Sequence, residues 1–446
     1  MKKAKIFYFK LQNEQTKEEK LKWFERTKFE DIPFEHIAPD IKSNWINLTD
    51  QDTTQDYESF ILLLDKKLKK KNASQSIFEL FSRGIETGSD EWVYDLSSKN
   101  LSQKIRFFID IYNHSIEVKN YDFRIKWNSS LKIHAENKKH LTYRDNLIVR
   151  ATWRPFTSKY LYVEKPLNHR LTQNHYEMYG FSPILKGENY VICCTDAGTQ
   201  SPFMVIATQY IPDLHLVGTA AQCLPLYRYD ENGTRIDNIT DWGLTQFQTH
   251  YKSPRPADTP LVKGGRGDQI SKLDIFHYTY AVLHHPAYRS KYELNLKREF
   301  PRLPFYPNFH QWVNWGKALM NLHLNYEIIE PYGLTRSQLK SKTTPKPKLK
   351  ADKTKGIIIL DENTQLIGVP AIAWEYKLGN RSALEWILDQ YKEKKPRDPT
   401  IREKFNTYKF ADYKEQVIDL LQRVCTVSVK TMEIIQQMPD TVEHQG

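Results

Sequence analysis

The chain has 446 residues, enough for roughly two to four domains with cores of ordinary size, and a formal net charge of +11. Basic and acidic residues are mixed along most of it, so the charge permits a nucleic-acid partner without requiring one. The four cysteines, Cys193, Cys194, Cys223 and Cys425, show no C-x-x-C spacing, which speaks against a zinc knuckle or a disulfide framework.

The opening stretch "MKKAKIFYFKL" has an apolar run of only four residues, Ile6 to Phe9. An export signal needs roughly 7–15, so this reads as a β-strand that begins almost at Met1. The charged segment "QTKEEKLKWFERT" predicts a helix after it. No βαβ pattern follows, which leaves the strand without an evident sheet partner. The apolar runs "FILLL" and "GIIIL" are far short of the roughly 20 residues of a membrane span. A cytoplasmic protein with no membrane contact is the expectation.

From about Phe29 to Asn120 short helices and turns alternate. In "SIFELFSRGIETGSDEWVYDLS" a helix is expected to stop at Gly84, followed by a turn containing Gly88 and a short strand at Trp92 to Tyr94. In "LSQKIRFFIDIYNHSI", Ile105, Phe108, Ile109 and Tyr112 share one helical face. From Leu147 to Tyr229 the pattern turns to strands, in "LIVRATWRPF", "KYLYVE", "YVICCT", "FMVIATQYI" and "CLPLYRY". "SPRPADTPLVKGGRGDQ" reads as an exposed loop, and a helix-rich block then runs to about Tyr332. Residues 336–355 carry eight Lys or Arg against one Asp and include Pro345 and Pro347, which predicts a basic linker. "GIIILDENTQLIGVP" reads as a hairpin, with helices at "SALEWILDQYKE" and "YKEQVIDLLQRV". The fold class is α+β: a strand-rich unit with helical subdomains, and a small C-terminal unit of hairpin and helices. The divisions fall at 1–28, 29–146, 147–335, 336–355 and 356–446.

Candidate chemistry is sparse. A helix beginning at Asp274 would place His277, Ala281, His284 and His285 on one polar face, ending near Pro286. A helical zinc pair needs His at i and i+4, and Ala281 stands where the partner of His277 would be, so no metal site is expected. The following "YRSKYELNLKREFPRLPFY" alternates rings with cations, and Arg289, Lys291, Lys297 and Arg298 would suit phosphates. A solvated helix face over packed tyrosines explains the same pattern equally well. "TWRPFTSKYLYVEKPLNHR" interleaves Arg154, Lys159 and Arg170 with aromatics on strands, where cross-strand packing is the competing explanation. "KGGRGDQIS", which holds Arg266, lacks the G-x-x-x-x-G-K-[ST] order of a phosphate loop. No nucleophile elbow, H-E-x-x-H or distinctive carboxylate pair is present, and no catalytic residue is expected.

Over "DIFHYTYAVLHHPAYRSKYELNLKREFPRLPFY" the chain resembles the C-terminal specificity region of type ISP restriction–modification enzymes. The likeness continues through "WVNWGKALMNLHLNYE" and "AWEYKLGNRSALEWILDQYKEKKPRDPTIREKFNTYKFADYKEQVIDLLQRVCTVSVKTM". Upstream it includes "IFELFSRGIETGSDEWVYD", "RPFTSKYLYVEKPLNHR", "PDLHLVGTAAQCLPLYRY" and "ITDWGLTQFQTHY", so it spans nearly the whole chain. The resemblance implies a target-recognition module for double-stranded DNA. In such enzymes an adenine-specific methyltransferase using S-adenosylmethionine, a helicase and a nuclease occupy the rest of the polypeptide.

This sequence departs from that pattern: the Asn-Pro-Pro-Tyr type motif, the Gly-containing cofactor loop and the helicase motifs are absent from it. Residues 1–28 then read as the last strand of a methyltransferase sheet with its following helix. Residues 29–146 read as the first part of the recognition region, and 147–335 as its core. The resemblance implies no cofactor in this chain itself. A split subunit docking on a methyltransferase or helicase–nuclease chain through its first strand, a protein–protein module, and a decayed fragment all remain open. The DNA contacts it suggests are Arg154, Lys159, Arg170, Arg266, His277, Arg289, Lys297 and Arg298. Gly84 and Gly88 are the suggested hinge.

Overall fold

The computed structural model describes residues 5–12, 15–39, 56–64, 75–180, 188–199, 201–252, 270–339 and 345–443. The fold is α+β, with helices packed around several small sheets.

The opening segment forms a small module of its own. Strand β1 (Ile6–Tyr8) pairs antiparallel with β2 (Glu35–Ile37), and helix α1 (Lys17–Arg26) lies between them in sequence. The strand thus has one partner, and the pair is a two-stranded sheet among the described residues. A Thr16–Glu19 capping box starts α1, in which no residue is buried.

The helix expected at Ser76 to Arg83 is instead extended: β3 (Ser82–Arg83) joins a sheet, and Phe78 bridges to Ile239. Ile77, Phe78 and Leu80 are all buried, and a short run with side chains enclosed on both sides carries no period that separates strand from helix. The strand expected at Trp92 to Tyr94 begins as a helical turn, Asp90–Val93, and extends only over Tyr94–Asp95. Helix α2 (Ser98–Glu117), capped by Ser97, buries Ile105, Phe108, Ile109 and Tyr112 as its periodicity predicts, and α3 (Ser129–Glu136) follows. The hairpin β4 (Ile148–Arg154) and β5 (Thr157–Tyr162) is flanked by Ile211–Pro212 beside β4 and Tyr94–Asp95 beside β5.

A second, antiparallel sheet runs in the order β3, β8 (Ala221–Pro225), β6 (Val191–Thr195), β7 (Val205–Thr208). Every residue of β6, β7 and β8 is buried. Alternate side chains serve two hydrophobic cores: Val191, Cys193, Ile206 and Cys223 face one, while Ile192, Cys194, Val205 and Leu224 face the other. This is why "VICCT" is apolar without alternation, since a strand covered on both faces needs no polar side. All four cysteines are buried thiols outside any disulfide, and Cys193 Sγ lies 3.7 Å from Cys223 Sγ across the paired strands.

Helix α4 (Lys272–His284) begins at a Ser271–Asp274 capping box, and every residue from Ile275 to His284 is buried. The expected polar stripe of histidines is therefore absent. A helix enclosed on all sides has no solvent face, and the hydroxyls of Tyr278, Thr279 and Tyr280 are satisfied internally, while His284 bonds through Nδ1 alone. Tyr280 OH accepts from Ala207 N–H at 2.9 Å, and Tyr278 OH donates to Pro304 O at 2.6 Å. Helix α5 (Phe309–Leu324) crosses α4 closely at Gly316, where a Cβ would stand 1.8 Å from His277 O.

The described residues of the expected linker, 336–339 and 345–355, contribute strands rather than a tether. Strand β9 (Thr335–Gln338), β10 (Pro347–Asp352), β11 (Ile357–Asp361) and β12 (Thr364–Ile367) make a sheet in the order β9, β12, β11, β10. Pro347 is tolerated because β10 is an edge strand, with Pro345 just before it, and the strand bulges where Leu349 adopts φ 42°. Helices α6 (Ala383–Gln390) and α7 (Phe410–Ile435) complete this unit, which shares the first core with α2 and the β4–β5 hairpin.

Candidate nucleic-acid interface

A cleft of about 710 Å³ opens where the turn Ile85–Trp92, the β4–β5 hairpin, the Asp213–His215 loop and the C-terminal unit meet. The turn is clamped. Ile85 N–H donates to Pro212 O at 2.8 Å, Leu214 N–H returns to Ile85 O at 3.0 Å, and a Cβ on Gly84 would stand 2.3 Å from Asp213 O. Gly84, the first of the two expected hinge glycines, is therefore required by close backbone approach. Gly88, at φ 66°, shapes the turn, and Thr87 Oγ1 accepts from Ser89 N–H at 3.1 Å while its hydroxyl donates to Asp90. Across the cleft, the Glu91 carboxylate accepts from Arg397 N–H at 2.9 Å and Asp398 N–H at 2.8 Å. Trp92 Nε1–H donates to Asp398 at 2.8 Å, so residues 306 positions apart in the sequence share one wall.

Trp153 is the ring around which the cations gather. The Arg154 guanidinium lies 4.2 Å from its centroid and Lys159 Nζ 4.0 Å, while its own N–H donates to Gln390 at 3.0 Å. Arg154 Nη1 also donates to Asp213 Oδ1 at 2.5 Å, in a pair that is largely buried. Burial pushes the Asp213 carboxyl up against the opposing pull of Arg154. Burial, helped by the positive charges of Arg154 and Lys104, lowers the Lys159 ammonium to about 8. Lys104, buried beside Lys159, donates to Glu91 O at 2.8 Å and Tyr94 O at 2.7 Å and pairs with Asp95 at 2.9 Å. Arg170 reaches the same turn: its Nη1 lies 3.1 Å from Glu86, with its side chain more than half exposed.

Of the expected residues Gly88 lines this cleft, Arg154 and Lys159 lie against Trp153 in its wall, Arg170 pairs with Glu86 of its turn, and Gly84 stands just before that turn, while Lys159 itself lines a neighbouring pocket with Arg150 and Glu327. His277, Arg289, Lys297 and Arg298 sit elsewhere, on helices whose apolar residues belong to the second core. His277 is 9 % exposed, and burial lowers its pKa, so it offers neither surface nor charge to a phosphate. Arg289 turns inward, donating from Nε to Leu283 O at 2.6 Å. Lys297 pairs with Glu293 at 2.7 Å, and Arg298 is exposed on the same short helix. Arg266 lies outside the described residues. Sequence reasoning missed Lys126, His215 and Arg397, which are exposed at the cleft, and missed Asp213. Only Trp153 carried a signal, through the ring and cation alternation of "TWRPF". Among the described residues no group of three or more His, Cys, Asp or Glu could hold a metal ion, and no helix is long and apolar enough to cross a membrane.

Comparison with known proteins places this architecture among restriction–modification enzymes. The chain belongs to the family described as Type ISP C-terminal specificity domain, whose sequence profile matches residues 76–420. A cryo-electron microscopy structure of a DrdV–DNA complex is similar at 44% identity and a TM-score of 0.80, over 96% of this chain and 42% of that one. A nuclease-deletion mutant of the type ISP enzyme LlaGI, in complex with a DNA substrate mimic, shows 28% identity and a TM-score of 0.72, over 99% and 40%. The ATP-dependent type ISP enzyme LlaBIII bound to DNA shows 25% identity and a TM-score of 0.74, over 92% and 26%. The chain therefore spans less than half the length of each of these proteins. A comparison with curated proteins gives no match.

Proposed function

We propose that this chain recognises a specific sequence in double-stranded DNA and directs an adenine-specific methyltransferase and restriction activity carried by other domains or another chain. The observation that carries this reading is the 44% identity, over 96% of the chain, to part of a protein solved on DNA. The cleft supports it. Arg170, Lys126, His215 and Arg397 present exposed cationic or titratable groups at its mouth, suited to phosphates that set register. Arg154 and Lys159, held against Trp153 of the cleft wall, stand on a strand hairpin of the kind that can face a groove.

S-adenosylmethionine would serve the methyltransferase part, and the cleft does not suit it. Its carboxylates are already engaged: Asp213 by Arg154, Glu91 by two backbone N–H groups, Asp398 by Trp92, Glu86 by Arg170 and Asp90 by Thr87.

A docking role for the opening module accompanies this reading. Phe7, Leu21, Phe24 and Phe29 are each more than half exposed there, a surface that a methyltransferase domain would cover.

Duplex binding at increasing salt tests the proposal. Affinity should fall by about 0.9 log units per tenfold salt for each phosphate contacted, and a randomised duplex pool should enrich one sequence. Weak binding that is flat with salt and blind to sequence would leave only the docking role.

A further inference from the structure

Beyond α2 the chain builds a pedestal whose purpose the cleft does not explain. Asn120 N–H donates to Ser115 O at 3.1 Å, and Asp122 N–H to Ser115 Oγ at 3.3 Å. Arg124 grips both oxygens of Asp122 at 2.6–3.0 Å, and Trp127 Nε1–H donates to Asp122 O at 2.8 Å. The Tyr121 and Trp127 rings meet at 4.6 Å, and Ile125 is buried. Every neighbour of Phe123 is thus fixed, yet Phe123 itself is 95% exposed. Val118, Tyr121 and Ile133, each 45–58% exposed, belong to the same short region.

A lone exposed ring needs no explanation, but this one is held out on a preorganised loop among cations. Residues 118–140 contain six Lys or Arg against two acidic residues, Asp122 and Glu136. Arg124 is neutralised by Asp122. Lys119, Lys126, Lys132, Lys138 and Lys139 are exposed, with no ion pair found for them among the described residues. Lys132 Nζ lies 5.6 Å from the Tyr121 ring, and Lys126 lines the cleft, so the pedestal borders the proposed DNA surface.

We infer that Phe123 is an aromatic wedge that meets a base step of the bound duplex, with Lys119, Lys126 and Lys132 on the flanking phosphates. Apolar side chains that insert at a base step work this way, and a ring among unpaired lysines matches the base-and-phosphate alternation of nucleic acid. The inference rests on the DNA-recognition reading above.

The test uses the full chain and a duplex enriched by it from a randomised pool. Phe123→Ala should weaken binding about fivefold to a hundredfold, with the same salt slope and an unchanged Tm, because the ring makes no internal contact. Phe123→Trp should bind within a few-fold of the parent. Lys119→Ala/Lys132→Ala should reduce the salt slope by about 2. If the parent binds with steep salt dependence but Phe123→Ala binds equally well, the wedge is wrong and the recognition reading stands. If the parent shows no salt-dependent duplex binding, both fail.

Discussion

His323 Nε2 lies 2.9 Å from Thr431 Oγ1, a buried bond that ties α5 to the long C-terminal helix α7. On its other side Nδ1 lies 2.6 Å from Tyr280 OH, which itself accepts from Ala207 N–H, so one imidazole links two helices to the central sheet. Burial lowers its pKa to about 3, and that of His175 to about 4. Both are neutral in the fold and gain a proton readily once unfolded. The unfolded chain therefore binds more protons between the ordinary value of 6.5 and those folded values. Stability is full above pH about 6.5 and declines below it, by on the order of 1.4 kcal/mol per pH unit for each histidine. Thermal melts from about pH 7 to 4 should show this slope, and His323→Gln should flatten it. An unchanged acid profile in that variant would refute the assignment.

Arg154→Ala should cost about 3–5 kcal/mol in urea unfolding, since it strands the buried Asp213 carboxylate. Adding Asp213→Asn should recover a good part of the loss, because the second change removes the orphaned charge. A single-variant loss under about 1 kcal/mol would mean that water reaches the pair.

Lys159 is charged at neutral pH in a place that disfavours charge. Above pH about 8 it is neutral in the fold while the unfolded chain holds its proton up to the ordinary 10.5, so this group's penalty to stability eases as pH rises. Lys159→Met should therefore raise Tm at pH 7 by a few degrees while weakening duplex binding, with the stability gain shrinking by about pH 10. A variant that is less stable at pH 7 would show that the contact with Trp153 outweighs burial of the charge.

Gly316→Ala places a methyl 1.8 Å from His277 O, a backbone atom that cannot move without separating α4 from α5. Loss of at least about 2–3 kcal/mol, or failure to fold, is the expected result of overpacking there. Gly333→Ala, where no atom lies within 4 Å, is the control and should change little.

The strands from Leu147 to Tyr229 were legible because each is a compact β-branched or aromatic run bounded by turn residues. The C-terminal hairpin was legible for the same reason. The basic stretch at 336–355 misled because lysines and prolines mark an edge strand as much as a linker. Edge strands carry both features, which discourage further pairing, and a local reading cannot see the partner strand β11. On α4 the histidines were assigned to a polar face because residue type was taken for exposure. Arg154 was within reach as an aromatic-flanked cation, but its partner Asp213 is 59 residues away, and no local pattern announces such a pairing.

Strands β8, β6 and β7 give alternate side chains to separate interiors, and this constrains how such a module can diversify. A substitution inside any of these strands disturbs packing on whichever side its residue faces, and a graft of half the module would sever a shared wall. New target preferences must then arise in the connecting loops and on the exposed rim, while the doubly claimed strands stay as they are.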